Sequence, residues 1–323
     1  MTEENHRVVM TRSGQVMGKA KDGAWLFCGV PYAAPPVGER RFKHATPLDP
    51  WDEVRDATRF SPAAPQIPSG GMTDSVPVRW NEDCLYLNIC TPEIDAELRP
   101  VLVWIHGGGY RTGQAAIPWY NGNSFARNGD VVVVSINYRL GALGFTDLSR
   151  FGDEYATSGV NGILDQIKAL EWVRDNIGSF GGDPDQITIA GESAGGFSVS
   201  TLLGSERAQG LFHRAIPQSG AAHATLTAEE GGVVTGLFLE TLGIDSAGEL
   251  QSLDVEAILS AQPTVDQKFS KVLTAVQAFY PVVGNEVLPV SPLAAIEDGI
   301  GVGVQVLTGS NKDESTLFIM EEV

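Results

Sequence analysis

A serine lies at the centre of a short motif flanked by glycines. The sequence Gly-Glu-Ser-Ala-Gly occupies residues 191–195, directly after the apolar run 187–190 and before the helix-compatible stretch 196–203. A G-x-S-x-G motif between a strand and a helix is typical of a sharp turn, or elbow, that exposes the serine hydroxyl. At the amino end of a helix, the helix dipole also favours developing negative charge. We therefore predict that Ser193 is a nucleophile. The alternative is an ordinary glycine-rich turn.

Three consecutive glycines form a second chemical motif. His-Gly-Gly-Gly-Tyr, at residues 106–110, directly follows the apolar run 101–105. Because glycines carry no side chain, the amides of such a loop can approach a negatively charged oxygen closely. We expect the N–H groups of Gly108, Gly109 and Ala194 to form an oxyanion hole. A plain strand-to-loop turn is the alternative, and the neighbouring elbow makes it the minor one.

A nucleophilic serine needs a base, and the base needs an orienting carboxylate. In folds with this elbow the order along the chain is serine, acid, histidine. Glu314 follows the apolar run 304–307 and is the acid we expect, with Asp313 as its competitor. Residues 315–323 contain no histidine. All five histidines precede the acid, and they are His6, His44, His106, His213 and His223.

Short apolar runs alternate with helical patterns over most of the chain. Five runs are typical of strands buried on both faces of a parallel sheet: residues 101–105, 131–136, 187–190, 214–217 and 304–307. The clearest helix is predicted over residues 163–177, where apolar side chains recur at helical spacing. Near the start, residues 8–32 predict antiparallel hairpins. Together these patterns predict an α/β doubly wound sheet with its site at the carboxyl ends of the strands.

No linker or repeat divides the chain, so we expect one domain over residues 1–323. The stretch from about 224 to 267 has helical patterns, such as residues 249–261, but no buried strand. It is predicted to be a helical insertion over the sheet. The insertion either shapes a substrate entrance or is a packing cap without ligand contact, and both interpretations stay open.

Composition narrows the classes of partner. Forty acidic and 22 basic residues give a formal net charge of -18, which repels phosphate backbones and anionic membranes. We therefore expect neither nucleic acid nor membrane as a partner. The polar start and the three cysteines, Cys28, Cys84 and Cys90, favour a cytoplasmic protein with reduced thiols. No spacing of cysteines or histidines indicates a metal, and we expect no cofactor.

Taken together, the motifs resemble those of the type B carboxylesterases, a family that includes para-nitrobenzyl esterases and cholinesterases. The resemblance covers nearly the whole chain and rests on the HGGG loop, the GESAGG elbow, PPVG at 35–38, EDCLYLN at 82–88, NYR at 137–139, FGGDP at 180–184 and NKDE at 311–314. It implies an α/β-hydrolase fold with helices on both faces of the sheet. The family continues beyond this length to a catalytic histidine, so the chain is expected to be its amino-terminal part.

The resemblance also implies roles for single residues. Ser193 is the acyl-forming nucleophile, Glu314 the acid, Glu192 a buried carboxylate that influences the site, and Ser219 a serine that supports it. Arg41 with Glu82, and Arg139 with Asp165, are implied to be structural ion pairs.

Two functions remain open from the sequence. The first is hydrolysis of small-molecule carboxylic esters through an acyl-enzyme on Ser193. The second, motivated by the absence of a histidine after Glu314, is a catalytically impaired fragment or a non-catalytic binding protein on an esterase scaffold. The particular ester and the oligomeric state are not indicated.

Overall fold

A computed structural model describes residues 5–68, 77–270 and 277–314. Within these residues, ten strands form one sheet in the order β1-β2-β3-β5-β7-β6-β8-β9-β10, with β4 paired to β2. The strands are β1 (His6–Met10), β2 (Gln15–Lys21), β3 (Ala24–Pro31), β4 (Arg55–Asp56), β5 (Tyr86–Thr91), β6 (Arg99–Ile105), β7 (Val132–Ile136), β8 (Gly182–Glu192), β9 (Arg214–Gln218) and β10 (Gln305–Val306).

Eight α-helices and several short 3-10 helices accompany the described part of the sheet. The α-helices are α1 (Asn123–Gly129), α2 (Gly141–Phe145), α3 (Asn161–Asn176), α4 (Ala194–Leu203), α5 (Ala228–Leu242), α6 (Ala247–Ser252), α7 (Val255–Ser270) and α8 (Pro292–Glu297). The 3-10 helices are Gly38–Arg40, Pro118–Tyr120, Ser149–Phe151, Asp153–Tyr155, Ser158–Val160, Ile177–Phe180 and Glu206–Ala208.

The strands from β7 to β10 are parallel, as their continuous apolar runs predict. All five residues of β7 are buried, because helices cover both faces of the sheet. Val132 and Val134 point into the main core, whereas Val133 packs with Ala126 of α1 in a smaller core on the opposite face. The prediction of a doubly wound α/β sheet is confirmed.

The first three strands are antiparallel, as predicted for residues 8–32. The turn between β1 and β2 is closed by the amide of Thr11, which donates to the carbonyl of Gly14 over 3.0 Å. β3 then pairs antiparallel with β5, and β5 with β7, so this meander joins the parallel strands at β7. The sheet is therefore mixed, and its parallel half holds the residues of chemical interest.

Three elements differ from their sequence patterns. The predicted helix 163–177 is α3, which begins two residues earlier and continues as the 3-10 helix Ile177–Phe180. The predicted strand 304–307 contains only the two exposed residues of β10, which pair with β9 at the edge of the sheet. The helical pattern 249–261 is divided into α6 and α7 because Leu253 takes an extended conformation.

Candidate active site

Ser193 lies at a sharp turn between β8 and α4. Its backbone φ of 56° and ψ of -123° belong to a region that residues other than glycine rarely adopt. A conformation of this kind costs about 1–3 kcal/mol and persists only when surrounding contacts impose it. The Ser193 amide donates to the carbonyl of Gln218 over 2.9 Å, and its carbonyl accepts from the amide of Phe197 over 2.8 Å. The elbow that the motif predicts is confirmed.

Glycines make this turn possible because neighbouring backbone fills the space beside them. A methyl group on Gly195 would lie 2.1 Å from the carbonyl oxygen of Ile105, and one on Gly191 would lie 2.5 Å from the carbonyl carbon of Gly195. Both distances are far inside van der Waals contact. The two motif glycines are therefore required by close packing of β6, β8 and the start of α4.

The triple-glycine loop lies directly against the elbow. Ile105, the last residue of β6, is the register partner of Gly191 in β8, so the loops that follow the two strands leave the sheet side by side. A methyl group on Gly107 would lie 2.6 Å from the carbonyl oxygen of Glu192 and 3.2 Å from Cβ of Ser193. The structure thus brings together the two motifs that are 87 positions apart, from 106 to 193.

Positive φ angles shape the rest of this loop. Gly108 has φ +112° and Gly109 has φ +61°, conformations that favour glycine. The amides of Arg111 and Thr112 both donate to the carbonyl of Gly108 over 3.0 Å. The Gly108 carbonyl is thereby engaged by the chain that follows, in a tight turn beside Ser193.

His106 supports the loop and is unsuited to act as a base. Its side chain is buried, its Nδ1 lies 2.9 Å from the carbonyl oxygen of Gly107, and its ring stacks on Tyr138 with centroids 4.6 Å apart. Burial lowers the pKa of His106 to about 4. The hydroxyl of Tyr138 donates to the carbonyl of His106 over 2.8 Å, which fixes the loop from the end of β7.

Glu314 and Ser219 are joined by a hydrogen bond. The Ser219 hydroxyl donates to the Glu314 carboxylate and lowers its pKa, and the amide of Asn311 donates to Oε1 of Glu314 over 2.8 Å. Ser219 has φ 49°, and its amide donates to the carbonyl of Gly309 over 2.9 Å. Asp313, the competing carboxylate, is exposed.

Glu192 differs from the buried carboxylate that the resemblance implies. It is exposed, because it lies at the carboxyl end of β8 and lines an open groove of about 390 Å³. The groove is also lined by Ile216, Gln218, Ser219, Leu307, Thr308, Gly309, Ser310 and Asn311. Partial burial of the carboxylate, and then the charge of Glu314, raises the pKa of Glu192. The negative charges of Glu192 and Glu314 therefore interact near the carboxyl end of β8.

The remaining histidines lie outside this arrangement. Nδ1 of His213 accepts a hydrogen bond from the amide of Ile187 over 3.2 Å, which is a structural role at the start of β9. His223 is exposed, and its ring contacts the edge of Phe197, with centroids 5.4 Å apart, one helical turn beyond Ser193. Among the described residues, the recorded hydrogen bonds link neither Ser193 nor Glu314 to a histidine.

The two implied ion pairs are present and structural. Arg41 binds both carboxylate oxygens of Glu82 at 2.6 Å, and Arg139 binds both oxygens of Asp165 at 2.8 and 2.7 Å. Asp165 is fully buried and also accepts from the backbone amide of Arg139. Such a pair fixes α3 against the end of β7.

Two supports of the site are not among the residues predicted from the sequence. The carbonyl of Gln218 accepts from the Ser193 amide, and Tyr138 carries the loop at His106. The Asn-Tyr-Arg motif at 137–139 was a usable signal for Tyr138, because it follows β7 at the carboxyl edge of the sheet. A backbone carbonyl such as that of Gln218 has no signal in the sequence.

In the described ranges, no group of three or more His, Cys, Asp or Glu side chains could hold a metal ion. Cys28, Cys84 and Cys90 are all buried free thiols. None of the described helices is long and apolar enough to cross a bilayer.

The mixed sheet, the serine elbow at the end of β8 and the glycine loop at the end of β6 define an α/β-hydrolase fold. Comparison with known proteins agrees with this class. The model of the carboxylesterase family matches residues 5–323. The chain therefore belongs to the carboxylesterase family.

Individual relatives give the extent of the similarity. The chain is 41% identical over 317 residues to a para-nitrobenzyl esterase of Bacillus subtilis, covering 97% of this chain and 64% of the relative. It is 40% identical to a phenmedipham hydrolase of Pseudarthrobacter oxydans, covering 96% and 62%. The crystal structure of a Geobacillus stearothermophilus carboxylesterase, EST55, superposes with a TM-score of 0.87 at 44% identity, over 96% of this chain and 62% of that one. The chain thus spans somewhat under two thirds of the length of these relatives.

Proposed function

We propose that this protein hydrolyses small-molecule carboxylic esters through an acyl-enzyme on Ser193. The observation that carries the proposal is the contact between two motifs. A serine in a strained backbone conformation lies against a loop of three glycines, closely enough that a methyl group on Gly107 would overlap the elbow. This juxtaposition of nucleophile and side-chain-free amides suits acyl transfer, in which a carbonyl oxygen gains negative charge.

In the proposed reaction, the hydroxyl oxygen of Ser193 bonds to the ester carbonyl carbon, and the carbonyl π electrons move to its oxygen. The amides of Gly108, Gly109 and Ala194 donate to that oxyanion. The tetrahedral intermediate then breaks the bond to the alcohol, which leaves with the proton from Ser193. Water attacks the acyl-serine in the same way and releases the carboxylic acid.

The proton carrier between serine, leaving alcohol and water is a histidine in this chemistry, and Glu314 is the carboxylate proposed to orient it. Its hydrogen bond from Ser219 and its lowered pKa favour an ionised carboxylate, as that role requires. His106 is unsuitable as the carrier because it is buried beneath the loop. Glu192, beside Ser193, contributes negative charge that stabilises a nearby imidazolium.

Charge and relatives restrict the substrate class. The net charge of -18, the Glu192 carboxylate in the groove and the nearby charge of Glu314 disfavour anionic esters, so neutral or cationic esters are proposed. The similarity to a para-nitrobenzyl esterase and a phenmedipham hydrolase supports small aryl-containing substrates.

The three free thiols favour a reducing compartment such as the cytoplasm. One hydrophobic core that includes residues from Val9 to Leu288 favours a single domain.

A second candidate function is a catalytically impaired protein, or a binding protein, on the same scaffold. The observation in its favour is that the described hydrogen bonds of Glu314 come from Ser219 and Asn311 and not from a histidine. Removing a triad member lowers the rate by orders of magnitude, although the oxyanion hole retains some rate enhancement.

Covalent labelling separates the two candidates. We expect an alkyl fluorophosphonate to add to Ser193, as found by peptide mass spectrometry, and the Ser193→Ala variant to stay unlabelled. Hydrolysis of para-nitrophenyl butyrate is followed in the same preparations. An adduct on another residue would contradict the proposed nucleophile. Labelling of Ser193 without turnover would support the second candidate.

A further inference from the structure

The residues around the triple-glycine loop include an ion pair that belongs to neither motif. Arg111, which follows the loop, donates through Nη2 to Oδ1 of Asp266 in α7 and to the carbonyl of Ala278 over 3.0 Å. Asp266 also accepts a hydrogen bond from the amide of Ala278. We refer to Arg111, Asp266 and Ala278 together as the clamp. It joins the loop, the helical insertion and the segment 277–280.

Segment 277–280 contacts three successive residues of the loop region. Oε1 of Gln277 lies 3.6 Å from the position of a methyl group on Gly109. The ring of Tyr280 packs edge-on against Tyr110, with centroids 5.5 Å apart. The Arg111 guanidinium lies over the ring of Phe279, 5.5 Å from its centroid. The clamp therefore fixes segment 277–280, which packs against the carboxyl end of the triple-glycine loop.

The clamp is connected to the oxyanion loop through the backbone. The amide of Arg111 donates to the carbonyl of Gly108 over 3.0 Å, so a shift of Arg111 displaces the residue whose amide is a proposed oxyanion donor. The loop is fixed on its other side by Tyr138, through the carbonyl of His106. At the Arg111 end, the loop is held by the contacts of the Arg111 guanidinium with Asp266 in α7 and with Ala278.

Both charged groups of the clamp are largely removed from water. Side-chain exposure is 21% for Arg111 and 31% for Asp266. Burial raises the pKa of Asp266 although Arg111 opposes that shift, and burial lowers the pKa of Arg111. Removing one partner would leave the other charge partly buried and unpaired, which is costly. Removing one partner is thus expected to disturb the structure more than removing one partner of a surface salt bridge.

From this geometry we propose that the Arg111–Asp266 pair positions the oxyanion loop, so that the helical insertion forms part of the frame of the active site and is more than a packing cap. The expected effect of the pair on reaction rate rests on the proposed ester hydrolysis, whereas its effect on the position of the loop does not. Arg111 and Asp266 are positioning residues, because they act through the backbone of Gly108 and do not contact the reacting atoms.

The test compares Asp266→Asn and Arg111→Ala with Arg111→Lys, which keeps the positive charge. The matched control is Glu240→Gln, which removes the 2.9 Å ion pair between Glu240 in α5 and Lys268 in α7, the helix that also contains Asp266. Hydrogen–deuterium exchange is measured on peptides covering residues 106–114 and, as an internal reference, on β6 and β8.

We expect amide exchange in 106–114 to accelerate about tenfold in Asp266→Asn and Arg111→Ala, with partial recovery in Arg111→Lys and none of this change in Glu240→Gln. Fluorophosphonate labelling of Ser193, and kcat for para-nitrophenyl butyrate where turnover is measurable, should fall about tenfold or more with little change in KM.

The exchange measurement tests the clamp independently of chemistry. Unchanged exchange in 106–114 would overturn the inference. Faster exchange with unchanged labelling would also overturn it, because the loop would then be free to move without consequence. Absence of labelling in the parent protein would instead contradict the proposed function, while the exchange data would still decide whether the clamp holds the loop.

Discussion

Replacement of Gly107 by alanine tests the contact between the glycine loop and the elbow. The new methyl group would lie 2.6 Å from the carbonyl oxygen of Glu192 and 3.2 Å from Cβ of Ser193. Both neighbours belong to the elbow, whose backbone is fixed by the bond from the Ser193 amide to Gln218. Since carbon atoms and their neighbours normally rest at about 3.5 Å or more, the loop has to move away by roughly half an ångström or more.

A displacement of that size matters because oxyanion donors act over a narrow range of distance, about 2.7–3.1 Å. Loss of one donor costs about 2.7–4 kcal/mol of transition-state stabilisation, which corresponds to a hundredfold or greater loss of rate. We therefore expect Gly107→Ala to lower fluorophosphonate labelling of Ser193, and any turnover of para-nitrophenyl butyrate, by about a hundredfold. KM should change much less, because the lost interaction develops in the transition state.

Gly236→Ala is the matched control. Gly236 lies within α5, and a methyl group there would meet no atom within 4 Å, so activity should be unchanged and stability slightly increased. Thermal unfolding of both variants separates a local effect from a folding defect. Full labelling of folded Gly107→Ala would refute the reasoning, because the loop would then lie too far from Ser193 for the contact to matter.

Three further predictions concern buried groups. The pKa of His106 is about 4 in the folded protein and about 6.5 in an unfolded chain. The free energy of unfolding therefore falls as the pH drops through this window. Urea unfolding should show that the free energy of unfolding falls by roughly 3 kcal/mol between these pH values in the parent protein and not in His106→Asn. An equal pH dependence of stability in the two proteins would contradict this prediction. Asp165→Asn should cost about 3–5 kcal/mol in the same assay, because it leaves Arg139 buried without its charged partner; a loss below about 1 kcal/mol would argue against a buried pair. Burial raises the pKa of Cys28 and Cys90 to about 12, so both thiols should resist iodoacetamide at pH 8 until urea unfolds the protein; rapid alkylation of the native protein would rule this out.

The local parts of the site were predictable from the sequence because they depend on backbone sterics. A glycine on either side of Ser193, after an apolar run, predicts a turn that the structure contains with φ 56°. The same holds for the triple glycine after β6: a methyl group on Gly107 would overlap the elbow, one on Gly108 would overlap Thr112, and Gly109 has φ +61°. The alternation of apolar runs and helices was sufficient to predict the parallel half of the sheet.

The limits of those patterns were set by packing. The hydrophobic pattern over residues 249–261 has a continuous helical period, yet the helix is interrupted between α6 and α7, where Leu253 is extended. The short β10 reflects the exposure of Val306 and Leu307 at the edge of the sheet, where apolar composition alone predicts a longer strand. Hydrophobic spacing does not reveal which neighbour a segment meets, so these ends could not be predicted.

The sequence by itself determined the chemical groups available: a serine hydroxyl at a forced turn, side-chain-free amides, and carboxylates after a late strand. Tertiary structure alone decided their relations. The register of Ile105 with Gly191 sets the two motifs side by side, the burial of His106 removes it as a base, and Arg111 reaches Asp266 across 155 positions of chain. Local sterics are encoded in neighbouring residues, whereas distances, burial and pKa shifts depend on segments that meet only when the chain folds.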